Sequence, residues 1–187
     1  MGPVAYFTAV IARSGATWKA RDVEVDETAG LDDLTDALRG VAIGDEPVLA
    51  VVEHEDEWFA IIRVDGDDEP RLFVSDLFAA SRSSYAELLA PAADVDTDED
   101  DEESVGSSSA SEPASEEDSD ADDEPSPPAE VEITVDAWAG ETDLLEDLGV
   151  SGKRLRALVE QNGEDPGAVL GEVGEAVGFA DLLEALR

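Results

Sequence analysis

Cysteine is absent from this chain, histidine occurs once, and 11 basic side chains stand against 49 acidic ones. Without cysteine there are no disulfides, thiolate metal sites or cysteine nucleophiles. A single histidine leaves no second imidazole for a zinc centre. The scarcity of Lys and Arg, at a net charge of −38, excludes a phosphate-tracking surface, because such a chain repels a polyanion. Long apolar runs are missing too, so no stretch has the length of a membrane span. The opening MGPVAYFTAV lacks the basic and apolar regions of a signal peptide, and Tyr6 stands where myristoylation needs Ser or Thr. The expected compartment is the cytoplasm, and no contact with membrane or nucleic acid is expected.

What the chain has in excess is acid, unevenly placed. Residues 91–130 hold 17 acids and no base, with Ser, Ala and Pro filling most of the rest. Such a tract offers too little apolar surface to offset the entropy of ordering, and it reads as a disordered acidic linker. Three segments follow: an α+β domain at 1–90, the linker at 91–130, and a small all-α module at 131–187.

In the first segment, AYFTAVIA and TWKARDVEV flank a Ser-Gly turn and predict a hairpin, with a bulge near Asp22. Leu31, Leu34, Leu38 and Val41 recur at helical spacing, with Asp32 and Asp33 in the first turn. PVLAVVE is a continuous apolar run, the mark of a strand covered on both faces. EWFAIIRV and RLFVSD are further strands, and residues 75–90 predict a helix capped by Ser75 or Asp76. The order is ββαβββα, an antiparallel sheet with helices on one face. Beyond the linker, helices are predicted at 143–149, at 151–163 behind the Ser151 cap, at 165–178 behind Asp165-Pro166, and at 179–187.

Each candidate site then meets a chemical requirement. His54, in HEDE, has carboxylates only as neighbours on a predicted hairpin tip, and Trp58 stands where H-E-x-x-H needs its second histidine. It is expected to be an exposed loop residue. The acids from Asp94 resemble a calcium loop until Glu99 replaces the glycine of the turn and Val105 the final glutamate. Gly171, Gly174 and Gly178 lack the preceding strand of a phosphate cradle and are expected to permit close helix packing. Ser83 and Ser84 have no base to activate them. No catalytic, cofactor or metal residue is expected. The candidate partner contacts are Arg82 and Tyr85, with Lys153, Arg154 and Arg156 of the one basic cluster, GKRLR.

The runs YFTAVIAR, GDEPVLAVVEHEDEWFAIIRVDGDDEPRLFVSD and SRSSYAELL, with the terminal DLLEDLG and VGFADLLEALR, resemble the actinobacterial tRNA adenosine deaminase-associated proteins. The likeness covers residues 5–90 and, less closely, 138–187. It implies a link, as a genomic neighbour, to the deaminase that modifies the tRNA wobble position, and carries no activity or site residues with it. The zinc signature of such deaminases, H-x-E with P-C-x-x-C, cannot be built without cysteine. The expectation is a non-enzymatic interaction protein whose partner is that deaminase or another basic protein. Two alternatives stand beside it. One is an acidic polyanion mimic that occupies nucleic-acid-binding surfaces. The other is a small-ligand sensor with a pocket formed by Arg63, Arg71 or Arg82.

Overall fold

The computed structural model describes residues 6–23, 30–54, 57–94, 137–163 and 165–186. Most of the expected linker, from residue 95 onward, lies outside them, as does the calcium-like run after Asp94. β1 (Tyr6–Ser14) and β2 (Thr17–Asp22) form the predicted hairpin. Their register runs unbroken from Ser14 opposite Thr17 to Ala9 opposite Asp22, so no bulge occurs at Asp22. α1 (Leu31–Val41) follows, then β3 (Pro47–His54), β4 (Trp58–Asp65) and β5 (Arg71–Val74). All pairings are antiparallel, and the α+β class and the ββαβββα order hold.

The helix predicted over 75–90 is two short ones, α2 (Leu77–Ala80) and α3 (Ala86–Leu89). Asp76 caps the first by accepting from the Ala79 N–H at 2.8 Å. Serines then end it: Ser81 donates back to the Phe78 carbonyl at 2.9 Å and Ser83 to the Ala80 carbonyl at 2.7 Å. Side-chain donors of this kind compete with continuation of the helix.

The remaining elements come from the far side of the acidic tract. β6 (Ala139–Gly140) pairs with β5, giving the sheet order β2-β1-β3-β4-β5-β6. Gly140 is required there. Its φ is +95°, and a Cβ on it would lie 2.1 Å from the Leu72 carbonyl oxygen. α4 (Gly152–Asn162), α5 (Pro166–Val177) and α6 (Ala180–Leu186) follow. Ser151 and Asp165 cap α4 and α5 as predicted, accepting from Arg154 and Ala168. Residues 143–149 form a turn and a short 3-10 stretch instead of a helix.

The alternating strands divide the core between two faces. On one, α1 and α3 set Leu34, Leu38, Leu88 and Leu89 against Val48, Ala50, Ile62 and Val74. On the other, Ala9, Ile11, Leu49, Val51, Phe59, Ile61 and Phe73 meet eleven buried apolar residues between Leu144 and Leu183. At about 1.5–3 kcal/mol per large side chain removed from water, this second layer is a major part of the gross stabilisation. The predicted separate C-terminal module therefore needs correction. Residues 1–97 and 136–187 form one compact unit, because the second apolar face of the sheet requires a cover and the C-terminal helices provide it.

Candidate interaction surface

Two of the three arginines offered as pocket anchors, Arg63 and Arg71, are already paired with carboxylates. Arg63, the one charged residue in the buried part of β4, donates to Asp65 at 2.7 and 2.8 Å, to the Leu144 carbonyl at 2.6 Å and to both oxygens of Asp147. Burial opposes its charge, but the hydrogen bonds and charges of Asp147 and Asp65 outweigh that and raise its pKa above the ordinary arginine range. The same hydrogen bonds pull the Asp147 carboxyl below its usual range. Arg71 sits directly opposite Arg63 in the β4–β5 register and is paired with Glu141 and with Asp143 at 2.9 Å. These bonds draw residues 141–147 along the sheet, which explains why the predicted helix there is replaced by turns.

His54 is not the exposed loop residue that the sequence suggested. It ends β3 at 8 % exposure, its ring stacked on Trp58 at 5.7 Å, and its Nδ1 lies 2.9 Å from a Glu57 carboxylate oxygen. Its place opposite Trp58 in the register covers it. Glu55 and Asp56 lie outside the described residues, and no group of three metal-ligating side chains converges among the described ones.

The other predicted contacts separate. Tyr85 is buried, edge-on to Trp58, so it supports the core and presents no surface. Lys153 and Arg154 are exposed in the first turn of α4. Arg156 lies over the Trp138 ring at 5.8 Å. Arg82 stands 5.6 Å from the ring centre of Phe78, which is 73 % exposed. Sequence reasoning passed over Phe78. The available signal was its phase: Asp76 fixes the start of α2, and Ala80 then faces inward while Phe78 faces out. An exposed aromatic ring backed by a guanidinium is a suitable anchor for a protein partner.

Comparison with known families agrees with the sequence runs quoted above. The chain matches the profile of one family over residues 6–180, which includes the sheet, α1 to α5 and the start of α6. It belongs to the Rv3753c-like tRNA adenosine deaminase-associated protein family. No curated protein and no solved structure matches it. The family's shared region thus includes both halves of the folded unit, consistent with a single core built from both. Among the described residues no helix is long and apolar enough to cross a membrane.

Proposed function

We propose that this chain is a non-enzymatic accessory protein that binds the tRNA adenosine deaminase, with Phe78 and Arg82 as the docking anchor. Family membership carries the choice of partner. The exposed Phe78 ring carries the choice of site, since burying it against a partner gains about 2–3 kcal/mol. Two features support a role without catalysis. The chain has no cysteine for the deaminase zinc, and Arg63 and Arg71 are tied to carboxylates instead of facing a pocket. The cytoplasm, where tRNA is modified, is the compartment that fits this reading.

The experiment is calorimetry of the purified chain against the deaminase of the same host, at low and at physiological salt. The wild type is compared with Phe78→Ser and with a version lacking residues 98–130. A complex of micromolar or tighter Kd that survives physiological salt, weakens with Phe78→Ser and tolerates the deletion is the expected result. Binding that disappears with salt or with the deleted tract indicates a general polyanion instead. Absence of binding at either salt refutes the reading.

A further inference from the structure

The sheet ends in the two-residue β6 on one side and in β2 on the other, and among the described residues no strand pairs with β2 beyond β1. The Val23 N–H donates to the Thr8 carbonyl at 3.0 Å, which fixes the phase of the ladder. Thr17, Lys19 and Arg21 bond inward to β1, so Trp18, Ala20 and Asp22 turn their backbone N–H and C=O groups outward. Among the described residues nothing hydrogen-bonds to those outward groups.

This edge is held in place. The Trp18 indole N–H donates to the Val177 carbonyl at 3.2 Å, and its ring packs edge-on against Phe179 at 6.0 Å. A pre-positioned strand lowers the ordering cost of adding another. On the opposite face Lys19 stands across from Ala12, and Arg21 across from Val10. Both cations are exposed and make no ion pair among the described residues. A groove of about 530 Å³ wraps the edge, lined on the cationic side by these four residues with Val41 and Ile43, the latter 47 % exposed, and on the other side by Trp18, Ala20 and Leu182 of α6.

We infer that the β2 edge binds an extended acidic segment of a partner protein as a seventh strand. The alternation specifies the segment. Side chains on the Lys19/Arg21 face are acidic, and those on the Trp18/Ala20 face are small and apolar. Charge decides against a second copy of this chain, because the register that uses the whole strand, centred on Ala20, sets Lys19 opposite Arg21 of that copy. The outward N–H and C=O groups decide against RNA, whose backbone offers no peptide ladder to pair with them. The inference is independent of the deaminase reading: β2 and the Phe78 anchor lie at opposite sides of the sheet, since Leu77 beside Phe78 donates to the Ala137 carbonyl next to β6.

The test uses the full chain, labelled with nitrogen-15, and the blocked peptide Ser-Glu-Val-Glu-Val-Glu-Ser, with its Lys-for-Glu twin and an oligouridylate as comparisons. Saturable shifts of the Trp18, Ala20 and Asp22 amide signals are expected with the acidic peptide alone. Lys19→Glu combined with Arg21→Glu should weaken that binding about tenfold or more. Both positions are exposed, so an unchanged melting temperature verifies folding. Ala20→Pro should abolish binding as well, because it removes an outward N–H while leaving the β1 ladder whole. The inference is overturned if the acidic peptide leaves these signals unmoved, or if the Lys peptide or the RNA binds equally well. It is also overturned if the peptide-free chain already protects these amides from exchange and the charge reversal removes that protection, which would assign the edge to the chain's own acids. Self-association of the charge-reversed chain without peptide binding by the wild type would reduce Lys19 and Arg21 to guards against aggregation.

Discussion

Arg63 and Asp147, 84 positions apart in the chain, meet in a two-point ion pair that ties the central sheet to the C-terminal layer. The guanidinium is buried while the carboxylate is half open to water, so the two partners are unequal. Loss of Arg63 leaves Asp65, Asp147 and the Leu144 carbonyl without their donor. Loss of Asp147 still leaves Arg63 paired with Asp65.

Arg63→Met is therefore expected to cost roughly 3 kcal/mol and Asp147→Asn about 1 kcal/mol. Urea midpoints measure both. Hydrogen exchange should show the Arg63 variant opening first at residues 141–150. Equal costs for the two variants would contradict this asymmetry.

The pair also sets an acid limit. Hydrogen bonds from Arg63 lower the folded Asp147 pKa beneath its ordinary 3.8, so the unfolded chain takes up this proton more readily. The stabilisation is present above that value and is lost as pH falls through the lower folded pKa. Urea midpoints followed downward from pH 5 should drop in the wild type and drop less steeply in Asp147→Asn. Identical acid limbs would remove Asp147 from the account.

Two glycines one turn apart in α5 should respond in opposite directions. A Cβ on Gly171 meets open space, whereas one on Gly174 lies 2.9 Å from the Ala180 Cα, where α6 crosses closely. Gly171→Ala should gain about 0.5–1 kcal/mol from helix propensity. Gly174→Ala should lose about 1–3 kcal/mol through overpacking. Thermal melting of the two variants beside the wild type decides it.

Separation of the two halves should expose the shared core. Residues 1–97 alone leave Ile11, Leu49, Phe59 and Phe73 facing water, so this fragment should bind an apolar dye and aggregate. Residues 136–187 added during refolding should restore a soluble one-to-one complex by size exclusion. A well-behaved monomeric 1–97 fragment would show that the C-terminal layer is dispensable.

The elements were legible in the sequence and their assembly was not, for physical reasons. Period-2 and period-3.6 patterns act over neighbouring residues, so the hairpin, α1 and the Ser151 and Asp165 caps could be read directly. The apolar run of β3 did imply cover on both faces, but the chain between it and that cover is rich in charge and reads as a separator. The sequence presents Arg63 only as a pocket candidate; a lone arginine in an apolar run needs a carboxylate, but with 49 acids in the chain only the fold selects Asp147. His54 was misjudged because its burial depends on stacking with Trp58 across the turn. Phe78 was passed over because an apolar residue in a helical run is ordinarily taken as core.

The short 3-10 turn at Ala90–Asp94 packs against β6, so the backbone departs from the folded unit and returns to it at neighbouring points. Two points this close can be joined by a connection of any composition, at a cost set by the entropy of loop closure. That entropy grows with the logarithm of length, about 0.6 kcal/mol for each doubling. Lengthening or shortening the chain between Asp94 and Ala137 is therefore expected to cost the sheet little, whatever charge the inserted residues carry.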